Sequence, residues 1–139
     1  MALNGLLPLG VPTDWSVHAI GHELTALYGI DHARTLAVVA PSHYRYNFDR
    51  KKEKLAQYAE RVWNINEGTL EEKANLGIAR TESFFNELGI KTKLSDYTKD
   101  FEGSAKVIAN RFTDRGWLGL GEHKSLSPSD VANIEEMAY

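Results

Sequence analysis

Hydrophobic positions recur at helical spacing along most of this chain, and glycine, proline and capping residues mark the breaks. In Asp49–Trp63, Leu55, Tyr58, Ala59 and Val62 fall on one helical face and charges on the other. Thr69 with Glu72 predicts a capping box before a long helix over Thr69–Leu88, which Gly89 stops. Phe101–Arg115 and Ser127–Tyr139 predict two further helices, the second capped by Ser127 with Pro128 at its first position. Ile90–Asp96 reads as an extended connector and Gly116–Ser125 as a glycine-containing loop.

The first third of the chain is patterned differently. Asp14–Tyr28 carries apolar residues on most sides, which predicts a helix buried on several sides rather than an amphipathic one. Gly29 ends it, and Asp31 can cap the next helix, His32–Tyr46. Within that segment LAVVAP could be a buried strand, but no second strand candidate exists to pair with it. A helix is expected, kinked or ended at Pro41. Met1–Leu7 resembles the last turns of a helix that begins further upstream. The expected fold is all-α, a bundle of about six helices, in a single domain over residues 1–139.

Composition narrows the function classes. The hydrophobic fraction of 42% and charged fraction of 25% fit a folded domain. A net charge of −3 gives no basic footprint for nucleic acid, and Arg50-Lys51-Lys52 reads as a solvated helix face. The chain has no cysteine, so disulfides, thiolate catalysis and iron–sulfur clusters are excluded. No apolar run approaches the roughly 20 residues of a membrane helix. The opening MALNGLLPLGVP lacks a basic region and holds two prolines, unlike a signal peptide. A cytoplasmic protein is expected.

Candidate chemistry concentrates in Asp14–His32, which holds three of the five histidines. His18 and His22 are four residues apart, so on a helix they share a face about 6 Å apart along the axis. His32 follows at the start of the next helix, where the helix dipole favours the neutral imidazole that binds metal. This spacing fits either a divalent-metal site or packing. The shell is incomplete, because Glu23 points about 100° away from His22 and Asp14 is spent as a cap. Gly21, between the two histidines, would allow a close approach by a neighbour. His43 and His123 are weaker candidates, His43 as a surface or supporting residue. No G-x-S-x-G, P-loop or G-x-G-x-x-G motif is present.

These residues match a known family. Asp14-Trp15-Ser16-Val17-His18-Ala19-Ile20-Gly21-His22-Glu23-Leu24, then Gly29-Ile30-Asp31-His32-Ala33, resembles the iron-containing (group III) alcohol dehydrogenases. LAVVAPSHYRYN resembles the segment that follows in that family. QYAERVW, FFNELGI and LSDY resemble its branch of butanol dehydrogenases and NADPH-dependent aldehyde reductases. The resemblance covers essentially the whole chain. It departs at Asp31-His32-Ala33, where many members have Pro-His-Gly.

The resemblance implies that His18 and His32 are metal ligands, for Fe2+ or Zn2+. It implies that His22 lies near the reacting groups as a substrate contact or proton relay. It also implies that this chain is the later, helical part of a larger enzyme, without the α/β domain that binds NADP(H) and without an earlier helix that supplies an aspartate and a histidine ligand. The intact enzyme would transfer hydride between NADP(H) and an aldehyde or alcohol, and the chain alone would be inactive. Two alternatives stay open. A stand-alone helical interaction module would associate with itself through apolar faces at Met1–Leu7 and Asp14–Val39, with a metal at most shared between chains. In a truncated product the histidines would be packing relics.

Overall fold

A computed structural model describes residues 9–139. It contains six α-helices: α1 Ser16–Tyr28, α2 His32–Tyr46, α3 Phe48–Trp63, α4 Leu70–Glu87, α5 Ser104–Asp114 and α6 Pro128–Glu136. Among the described residues there is no strand, only an isolated antiparallel bridge between Leu120 and Leu126. The all-α expectation holds. The expected helix at Met1–Leu7 lies outside the described residues.

Local chemistry sets the boundaries. Gly29 takes a left-handed φ of 68° and its N–H returns to the Thr25 carbonyl at 2.9 Å, which closes α1. Both expected caps before α4 and α6 form. The Thr69 hydroxyl accepts from the Glu72 N–H while Glu72 accepts from the Thr69 N–H, and Ser127 and Asp130 do the same. The α5 and α6 helices are shorter than their patterns suggest, and the Ile90–Asp96 connector closes in a 3-10 turn at Leu94–Asp96.

Of the two outcomes expected at Pro41, a kink or an end, the structure excludes the end, and α2 has the bounds expected of it. The helix runs through it to Tyr46, with Pro41 buried. The missing proline N–H costs one hydrogen bond. Burial of Ala37, Val38, Val39, Pro41 and His43 along the same stretch offsets that cost.

Two apolar clusters hold the helices. The larger joins Ile20 and Leu24 of α1, Val38 and Val39 of α2, Ile108 and Phe112 of α5, and Val131 and Ile134 of α6. Each fully buried Ile or Leu here contributes about 2 kcal/mol of transfer free energy. The smaller lies between α3 and α4, around Leu55, Ala56, Ala74 and Ile78. The α1 and α2 helices run antiparallel: Ser16 at the start of one meets His43 near the end of the other, and Gly21 meets Thr35. Glu23 of α1, 5% exposed, accepts from Arg111 of α5 and from Arg115, which caps the end of that helix. Burial alone would raise the Glu23 carboxyl, but the bonds from Arg115 and Arg111 outweigh it and hold it below its ordinary value.

The expected apolar face over Asp14–Val39 is mostly internal. Ile20, Leu24, Val38 and Val39 are fully buried, because α5 and α6 cover them. Exposed large apolar side chains are instead spread over the described residues, among them Leu9, Val11, Trp15, Trp117 and Leu118, and Leu70, Leu76 and Phe84 on α4. Among the described residues no helix is long and apolar enough to cross a membrane.

Candidate metal centre

The α1–α2 pairing brings together the three histidines singled out in the sequence. His18 and His22 project from successive turns of α1, and His32 opens α2 across from them. One ring nitrogen from each falls in a group whose members all lie within 4.8 Å of one another. Gly21 makes this approach practicable. A Cβ there would stand 3.0 Å from Thr35 Oγ1, 3.2 Å from Leu36 Cδ2 and 3.6 Å from His32 Cε1.

The three rings are not equivalent. His18 Nδ1 stands 3.0 Å from His32 Nε2, and the two ring planes are inclined at 48°. At that distance the two nitrogens share a hydrogen bond, and the same pair could turn its lone pairs to one ion. His22 instead stacks on His32, with ring centres 4.1 Å apart and 7° between planes. Lone pairs lie in the ring plane, and two parallel stacked planes do not meet at a point. Donor chemistry also fits a divalent ion. Burial, followed by the neighbouring imidazoles of His22 and His18, holds His32 below its ordinary pKa and so favours its neutral, ligating form. His22 is exposed, while His18 and His32 are half-buried.

Glu23 is not at this site, since both its oxygens are engaged by arginines. His123 lies on the surface, 3.9 Å from Glu122. His43 corrects the expectation of a surface residue, being 1% exposed. It shares a cleft of about 510 Å3 with His18, walled by Val17, Leu36, Ala37 and Phe85.

At the far end of that cleft lies a polar network that the sequence did not reveal. Asp14 accepts from the Ser16 N–H at 3.0 Å, from the Ser16 hydroxyl and from Lys51 Nζ at 3.0 Å. Burial would raise the Asp14 carboxyl, but the Ser16 and Lys51 bonds hold it below its ordinary value. An ionised carboxylate only accepts, so the Ser16 proton belongs to Asp14. Ser16 Oγ then accepts from His43 Nε2 at 2.7 Å. Burial holds His43 neutral, down to about 4. Among the described residues His43 Nδ1, which is buried, has no hydrogen-bond partner. Ser16 is fully buried and its proton faces a carboxylate, so this is no hydrolytic triad. The only sequence trace of the network is Ser16 two residues after Asp14.

The fold is an all-helical unit in which the first two helices bring three imidazoles together, a donor set of the kind that could hold a divalent ion. Residues 3–139 match the Fe-containing alcohol dehydrogenase family, C-terminal part, and the chain belongs to that family. It is 46% identical over 137 residues to the NADPH-dependent aldehyde reductase YqhD of Escherichia coli (strain K12), covering 99% of this chain and 35% of that protein. It is 35% identical over 136 residues to the probable NADH-dependent butanol dehydrogenase 1 of Bacillus subtilis (strain 168), covering 96% of this chain and 34% of that one. The crystal structure of E. coli K-12 YqhD superposes with a TM-score of 0.92 at 46% identity, over 99% of this chain and 35% of that one. NADH-dependent butanol dehydrogenase A from Thermotoga maritima superposes with a TM-score of 0.77 at 26% identity, over 90% and 33%. The chain thus spans about a third of the length of the curated relatives it matches.

Proposed function

We propose that residues 1–139 form one helical domain that works as the metal-holding part of an NAD(P)-dependent alcohol or aldehyde oxidoreductase. The observation that supports this best is the 3.0 Å approach of His18 Nδ1 to His32 Nε2 with their planes inclined. These two nitrogens would hold Fe2+ or Zn2+. When bound, the ion supplies Lewis acidity that polarises an aldehyde or alcohol oxygen. His22, stacked beside the pair and open to solvent, contacts the substrate and carries a proton on its imidazole N–H. The α1–α2 backbone orients all three rings, and Val17, Leu36 and Phe85 wall the adjoining cleft.

NADP(H) would be bound by other parts of the intact enzyme, since this stretch has no phosphate cradle. The chain alone would then be inactive. The test is twofold. Zinc or ferrous titration should give a 1:1 complex that His18→Ala and His32→Ala each weaken by about a hundredfold and His22→Ala leaves within a few-fold. Equal loss in all three variants would overturn the ligand assignment. Assay of the purified chain with aldehyde, NADPH and either ion should show no turnover; robust turnover would overturn its dependence on a larger enzyme.

A second reading rests on the exposed surface at Leu9, Val11, Trp15 and Leu118, each more than half exposed. Apolar patches of this kind promote association. Two copies meeting there would make the chain a homo-oligomer, with a metal at most shared between them. Mass measurement in solution, with and without chelator, separates a monomer from a metal-bridged dimer.

A further inference from the structure

Among the described residues, two side-chain hydrogen bonds join α1 to α2. One is the His18–His32 contact itself, at 3.0 Å. The other runs from His43 Nε2 to Ser16 Oγ, at 2.7 Å. Elsewhere the two helices meet by packing, as where Gly21 faces Thr35 and Leu36. Apolar packing is non-directional, whereas a hydrogen bond holds its partners to a narrow range of distance and angle.

The Ser16–His43 bridge is anchored at both ends. Both side chains are buried, at 0% and 1% exposure. Ser16 gives its hydroxyl proton and its N–H to Asp14. Lys51 of α3 holds Asp14 at 3.0 Å, and Glu122 holds Lys51 at 2.9 Å. The His43 carbonyl accepts from Asn47 Nδ2 at 3.0 Å. Ser16 opens α1, in the same turn as His18. His32 and His43 are separated by about three turns of α2, so they share a face. The bridge therefore ties the turn that carries His18 to the face of α2 that carries His32. Burying the His43 ring also leaves its Nδ1 bare, a cost that an apolar filling would avoid.

We propose that His43 is a positioning residue: through Ser16 it sets the register of α1 along α2 and so holds His18 Nδ1 at His32 Nε2. It contacts neither substrate nor ion. Its role grows when the proton shared by His18 and His32 departs. Metal binding requires deprotonated ligand nitrogens and removes that hydrogen bond. Ser16–His43 is then the one polar bridge left between the two helices. Only this last step rests on the metal reading proposed above; the placing of the two rings does not.

Three variants separate register from stability. In His43→Leu an apolar side chain fills the site without a donor. In Ser16→Ala/His43→Leu both partners are apolar, which should be close to neutral for unfolding. His43→Gln restores an N–H at the place of Nε2. The first readout is the nitrogen–nitrogen coupling across the His18–His32 hydrogen bond, measured by magnetic resonance on the isotopically labelled, metal-free chain. It should be present in the unaltered chain and in His43→Gln. It should be lost in His43→Leu and in the double variant, although the urea midpoint of the double variant stays close to that of wild type. Zinc affinity should fall about tenfold in the same two variants and recover in His43→Gln. Coupling retained in the double variant, or lost in step with stability across the series, would overturn the proposal. So would its absence from the unaltered chain. The expected coupling series with no zinc bound by the unaltered chain would support the positioning and overturn the metal reading alone.

Discussion

A Cβ built on Gly21 stands 3.0 Å from Oγ1 of Thr35, and Thr35 itself donates to the His32 carbonyl at 2.8 Å. The glycine and the third histidine are thus coupled through one threonine. Gly21→Ala would gain about 1 kcal/mol of helix propensity and lose about 1–3 kcal/mol to overpacking. The expected net effect is a loss of about 1 kcal/mol, seen in urea melts, with zinc affinity reduced about tenfold because α2 shifts at its first turn. A stabilised variant with unchanged zinc binding would show that the interface yields freely.

Glu135 offers a pH test. It is fully buried, and Ser104 Oγ already donates to the Phe101 carbonyl at 2.7 Å. The Ser104 hydroxyl is also placed to donate to the Glu135 carboxyl, so its single proton is shared between two acceptors and stabilises the carboxylate only in part. Burial pushes Glu135 up to about 7 from 4.5. A raised carboxyl gives stability that is complete below pH 4.5 and is lost as pH rises through about 7. The loss is on the order of 3 kcal/mol. Glu135→Gln keeps an oxygen that accepts from Ser104 but cannot ionise, and should abolish that loss, making the variant more stable than wild type at pH 8 in denaturant melts.

His43 acts in the opposite direction. Burial lowers it from 6.5 to about 4. Its contribution is present above pH 6.5 and is lost as pH falls through about 4. Between about pH 4.5 and 6.5 the His43 and Glu135 slopes oppose each other. Their joint contribution in wild type should be nearly flat there, whereas Glu135→Gln should expose a stability that climbs with pH. A parallel pH profile for variant and wild type would contradict the Glu135 assignment, and a variant profile that stays flat between pH 4.5 and 6.5 would contradict that of His43.

Much of this was legible in the sequence, and the exceptions have physical causes. All six helices follow from apolar periodicity and from caps at Thr69, Ser127 and Gly29, because those signals are local. The meeting of His18 with His32 was carried by a family resemblance; helical spacing alone pairs His18 with His22 just as well. Ring orientation separates these pairs, and orientation depends on tertiary packing. At Pro41 the local rule left two outcomes, a kink or an end, and burial along α2 decides for a helix that continues. The Asp14–Ser16–His43–Lys51 network was invisible because its members come from three separate segments.

Glu23 ties α1 to α5 through Arg111 and Arg115, and its removal gives a stability test. Glu23→Ala loses two charge-assisted bonds at a buried position, which should cost about 2 kcal/mol in chemical denaturation. Arg115→Ala alone should cost less, because Arg111 still pairs with the carboxylate and the Arg115 side chain is 44% exposed. An equal cost would place the energy in Arg115 packing against Trp117, 5.4 Å from its ring centre, rather than in the ion pair.

The separate small core of α3 and α4 bears on how the chain comes apart. Its four buried members are fewer and smaller than the twelve of the main cluster. The hairpin is therefore a natural sub-global opening unit, able to exchange its amide hydrogens while the helices that carry His18 and His32 stay protected.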